Sequence, residues 1–215
     1  MSDRTVSEKV KVFFSPFLII AIGFLVALIF NSVIGAWAFI PVAMVYWGSI
    51  AIITKLDIRN LKELFVKSGN TPVLNVIAYI PCLFCIVAFV WGIRCITLEP
   101  LLVILSIVFV VVNPIMEEVY WRKYLLDNLS LSSPLKIIFT TTFFSLSHPL
   151  MWGVFSVTIR SYVMVLPLIT MGIIWGIVYS RTGSLRHCII AHGIVDLLNL
   201  SIWVFLNLYI PPVVG

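Results

Sequence analysis

Six residues in the C-terminal half of this chain could do acid–base chemistry, and each falls in or beside a run of apolar residues: Glu117, Glu118, Arg122, His148, His192 and Asp196. Ionisable groups at membrane depth are costly and mark function by default. Neighbours on an α-helix are about 100° apart and residues four apart share a face. Glu118 is therefore expected to pair with Arg122, leaving Glu117 free. A carboxylate held in a low-dielectric site beside a like charge can exchange protons near neutrality, so Glu117 is the candidate general base. His148 ends the stretch Phe143-Phe144-Ser145-Leu146-Ser147-His148. His192 and Asp196 lie one helical turn apart, with Asn199 a further turn along the same face. His187, nearer the helix end, reads as structural.

The elements that must position these groups are apolar helices. Of 215 residues, 61% are hydrophobic and 11% charged, against roughly 25% charged in a soluble domain. Apolar runs at about 13–34, 36–54, 72–92, 100–127, 134–150, 161–180 and 185–207 predict a polytopic, all-α membrane helix bundle of about seven transmembrane helices, forming a single domain over residues 1–215. On a rise of 1.5 Å per residue, Glu117, His148, His192 and Asp196 all sit about 10–21 Å from the cytoplasmic ends of their helices. Pro114 is expected to bend the helix just before the acidic pair.

With a cytoplasmic N-terminus, every Lys and Arg except Arg94 and Arg160 falls on the inside, as the positive-inside rule requires. That distribution accounts for the net charge of +5 without a nucleic-acid partner. Ile58, Leu61, Leu64 and Phe65 recur at helical spacing opposite the charges of Lys55–Phe65, predicting a helix lying in the cytoplasmic membrane interface. Cys82, Cys85, Cys95 and Cys188 read as small buried hydrophobes. The first apolar run is too long for a signal-peptide core and reads as a retained anchor.

Glu117-Glu118-x-x-x-Arg122, Phe144-x-x-x-His148 and His192-x-x-x-Asp196, in that order over residues about 100–200, resemble the three motifs of the CAAX protease and bacteriocin-processing (CPBP, or Abi) family. Its type II CAAX prenyl endopeptidases remove the C-terminal tripeptide of prenylated proteins, and other members include peptide-maturation and bacteriocin-immunity proteins. The resemblance implies that Glu117 and His148 activate a water, with His192 and Asp196 where the oxyanion is stabilised. Members with asparagine at the last position have an amide donor there, whereas an ionised Asp196 cannot donate. Asp196 is therefore expected to accept a hydrogen bond from His192 and orient that ring, unless it stays protonated.

The expectation is a multi-pass intramembrane endopeptidase of the cell membrane, acting on a peptide or membrane-protein substrate within the lipid and needing no cofactor. Two alternatives remain open. Glu117, His148 and His192 also have the ligand chemistry of a zinc metalloprotease, although His-Glu-x-x-His is absent. The same carboxylates would serve a proton-coupled transporter, and a non-catalytic immunity or scaffold protein needs none of this chemistry.

Overall fold

The computed structural model describes residues 5–66, 69 and 71–214. Their secondary structure is helical throughout, in the order α1 (Val6–Ile34), α2 (Phe39–Thr54), α3 (Pro72–Ile77), α4 (Ile80–Gly92), α5 (Pro100–Glu117), α6 (Leu125–Asn128), α7 (Ser133–Met151), α8 (Val157–Arg160), α9 (Val165–Thr182), α10 (Arg186–Leu198) and α11 (Ser201–Phe205). Helices occupy each of the seven apolar segments. Among the described residues, four stretches are long and apolar enough to cross a membrane: Val6–Thr54, Pro72–Gly92, Pro100–Asn128 and Tyr162–Thr182. The first holds α1 and α2 together, joined by one tight turn at Gly35–Ala38, where Gly35 takes a φ of +59° that costs glycine nothing. The helices begin where their sequences direct. Thr5 and Glu8 close a capping box on α1, with Thr5 N–H donating to Glu8 Oε2 at 3.1 Å, and α5 opens with proline in its first turn.

Close helix contacts depend on small residues, as in membrane bundles generally. A Cβ added at Gly172 on α9 would lie 2.7 Å from Thr141 Cγ2 on α7, and one at Gly193 on α10 would lie 3.2 Å from the Val110 carbonyl oxygen on α5. The second approach is what brings α10 against the acidic end of α5. Gly172→Val is expected to destabilise the protein by about 1–3 kcal/mol through overpacking, measured as a lowered unfolding midpoint in detergent; an unchanged midpoint would show that α7 and α9 can separate freely there.

Two expectations need correction. Ile58–Phe65 is a 3₁₀ helix rather than an α-helix, and part of its apolar side docks on protein. Leu64 is buried in a cluster with Val119, Leu126, Tyr179, Leu185 and Ile189, against which Leu61 also packs, while Phe65 stays exposed. Cys95 is exposed, although Cys82, Cys85 and Cys188 are buried free thiols as expected. Pro114 lies inside α5, whose α-winding continues to Glu117; the winding changes just beyond, where Glu118–Tyr124 forms a π-helix, an uncommon element frequent at functional sites.

Candidate active site

The π-winding decides how the acidic pair is presented. A turn closed by i→i+5 bonds holds more residues than an α turn, so successive side chains diverge by less than about 100°. Glu117 and Glu118, expected on different faces, reach different nitrogens of the His192 imidazole: Glu118 Oε1 lies 2.8 Å from Nδ1 and Glu117 Oε2 lies 3.5 Å from Nε2. Glu118 Oε1 is also 3.1 Å from Arg122 Nη1, so the expected ion pair is formed, with both partners buried. The Arg122 guanidinium lies over the rings of Phe144, at 4.4 Å, and Trp175, at 5.2 Å. Trp175 stacks on His192 at 4.7 Å with a 25° interplanar angle. His192 is thus fixed by a carboxylate on its edge and an indole on its face.

Glu117 is fully buried, and neither of its oxygens has a hydrogen-bond partner among the described residues. A buried polar group without a partner costs on the order of 1–3 kcal/mol, more when charged, and such an orphan points to a function. The nearby Tyr46 hydroxyl accepts a hydrogen bond from Trp121 Nε1 at 2.8 Å and interacts with Glu117.

His148 on α7 is half-buried, with Nδ1 2.9 Å from the Phe144 carbonyl oxygen. A carbonyl can only accept, so Nδ1 carries the proton, and the neutral ring keeps its lone pair on Nε2. Nε2 makes no hydrogen bond among the described residues and is the ring's free acceptor.

Asp196 departs from expectation. Its Oδ1 lies 3.8 Å from His192 Nε2, beyond hydrogen-bond range, and its Oδ2 instead accepts from Asn113 Nδ2 at 3.1 Å. The hydrogen bond to His192 expected of Asp196 is made by Glu118 instead, on Nδ1, while Nε2 faces Glu117 and Asp196 at longer range. Asn113, Tyr46, Trp47 and Trp175 are the site residues that sequence reasoning missed. Asn113 carried a legible signal, standing one helical turn before Glu117 on the same face.

Glu117, His148, His192, Asp196, Asn113 and Asn199 share one cavity of about 180 Å³ whose remaining wall is largely apolar, extending to the outward-facing Phe84 and Val213. Among the described residues no three His, Cys, Asp or Glu side chains are grouped so as to hold a metal ion.

Fold and site together define an all-helical, membrane-type protein with a buried carboxylate–histidine centre opening onto an apolar cavity. Residues 99–198 match the family model described as type II CAAX prenyl endopeptidase Rce1-like. That span runs from the start of α5 to the end of α10 and carries all six candidate residues, so this part of the chain is similar to the family that the three motifs resemble, whose description is that of a protease. No curated protein and no solved structure matches the chain.

Proposed function

We propose that this protein is an intramembrane endopeptidase, crossing the cell membrane seven times with its N-terminus cytoplasmic, that hydrolyses a peptide or membrane-protein substrate without a bound metal. The observation that carries the reading is Glu117: a fully buried carboxylate, neither of whose oxygens makes a hydrogen bond among the described residues, on the wall of an apolar cavity that also holds the free acceptor of His148. The two acceptors, Glu117 and His148 Nε2, suit a water molecule, which would donate one hydrogen bond to each. As the water oxygen bonds to the scissile carbonyl carbon, Glu117 takes a proton. When the C–N bond breaks, Glu117 returns it to the leaving amine, so peptide and water become acid and amine with every proton accounted for. The apolar wall extending to Phe84 and Val213 offers a route for a substrate arriving from the lipid. Glu118, Arg122 and Trp175 hold His192 against Glu117.

The test is to express wild type and Glu117→Gln in the native membrane and compare the C-terminal peptides of small membrane-bound substrates. Peptides produced only by wild type support the reading and reveal the substrate. Identical peptide sets favour a non-catalytic or transport role, and stoichiometric zinc lost together with activity would favour a metalloprotease.

The position of Asp196 predicts a mild variant. Asn at 196 still offers a carbonyl oxygen to Asn113 Nδ2, so Asp196→Asn is expected to keep turnover within about tenfold, the equivalent of roughly 1.4 kcal/mol, about one weakened hydrogen bond. A loss as complete as that of Glu117→Gln would mean that the charge of Asp196 takes part directly.

A further inference from the structure

Hydrolysis through Glu117 needs donors for the oxygen that becomes negative, and of the histidine and carboxylate side chains on the cavity wall only His192 could offer one. His148 has its proton on Nδ1, bound to the Phe144 carbonyl. His192 Nδ1 lies 2.8 Å from Glu118 Oε1, and its Nε2, 3.5 Å from Glu117 and 3.8 Å from Asp196, is on the side of the shared cavity's carboxylates. An ionised Asp196 has no proton to offer.

Asn113 remains. An asparagine's oxygen and nitrogen are easily interchanged in assignment, but here both neighbours fix them. The indole N–H of Trp47 can only donate, and it donates to Asn113 Oδ1 at 3.1 Å. Nδ2 then faces Asp196 Oδ2, also at 3.1 Å. These two bonds occupy the amide oxygen and one N–H. The second N–H makes no hydrogen bond among the described residues, although Asn113 is only 3% exposed and lines the same cavity as Glu117, four residues ahead of it on α5.

We propose that this second N–H of Asn113 donates to the oxyanion of the tetrahedral intermediate, with Trp47 and Asp196 as positioning residues; the proposal rests on the endopeptidase reading above. As water adds, the carbonyl π pair moves onto oxygen and is met by the Asn113 N–H. It returns when the C–N bond breaks, and Asn113 keeps its proton throughout. A donor held in place before the reaction pays no reorganisation at the transition state.

The experiment uses the full-length protein in lipid vesicles and a peptide that wild type cuts and Glu117→Gln does not. Asn113→Ala is expected to lower kcat by about 10²–10³, the effect of losing one oxyanion donor, with KM within about threefold. Its affinity for a phosphinic analogue of the tetrahedral intermediate should fall by the same factor as kcat/KM. Trp47→Phe keeps a ring against Phe109, 5.7 Å away, but frees the amide to turn, and is expected to lower kcat by about tenfold. A kcat for Asn113→Ala within threefold of wild type, or a change confined to KM, overturns the proposal while leaving the protease reading intact. Should Asn113→Ala fail to accumulate, Trp47→Phe decides, an unchanged kcat overturning the proposal. If wild type produces no peptide that Glu117→Gln lacks, both fall together.

Discussion

Glu117→Gln is expected to lower turnover by about 10³–10⁴, the upper range for loss of a general base, while the protein accumulates in the membrane as wild type does. Glutamine matches glutamate in length and volume, so the contacts around this fully buried side chain survive the change. The substitution removes only the ability to take a proton, and it puts an amide donor where a water would have offered its hydrogens. The neighbours cannot compensate. Glu118 is occupied by Arg122 and His192, and the Tyr46 hydroxyl is already engaged by Trp121. Single-turnover rates on the peptide that wild type cuts give the number. A Gln variant within tenfold of wild type would remove Glu117 from the role of base and leave His148 Nε2 as the remaining acceptor.

The helices were legible because lipid imposes a simple pattern on sequence: apolar runs of spanning length, interrupted by charges at the ends. The Glu118–Arg122 pair was legible for the same reason, because four-residue spacing survives a local change in winding. What stayed hidden arose where the helix departs from α geometry. Assigning Glu117 and Glu118 to different faces assumed about 100° per residue, and the π-helix over Glu118–Tyr124 does not keep that angle. Nothing in the composition of that stretch announces it. The contributions of Trp47 and Tyr46 were hidden differently. Each is one polar tip in an apolar run of α2, and only the packing of α2 against α5 and the π-helix that follows it shows that the tips meet Asn113 and Trp121. The hydrogen bond expected between Asp196 and His192 is not formed, because spacing brought the two near each other without revealing that Asn113 is closer.

Glu118 is expected to show the largest effect on stability, and a double variant separates its two roles. Glu118→Met alone leaves the Arg122 guanidinium, 2% exposed and lying over the Phe144 and Trp175 rings, without its counter-ion. Breaking a buried pair from one side costs about 3–5 kcal/mol, because the remaining charge is stranded. Glu118→Met is therefore expected to unfold at a much lower denaturant fraction in mixed micelles. Replacing both partners by apolar side chains of similar volume is often neutral or stabilising, so Glu118→Met/Arg122→Met should recover most of the lost stability. It should not recover activity, because His192 Nδ1 still lacks the acceptor 2.8 Å away that fixes its proton and orientation. Loss of the residue that orients an imidazole costs on the order of 10²–10⁴ in rate. A double variant as unstable as the single would show that the ion pair is not what Glu118 contributes to folding. One that is stable and active would show that Glu118 does not position His192, and that the stacked Trp175 ring suffices to hold it.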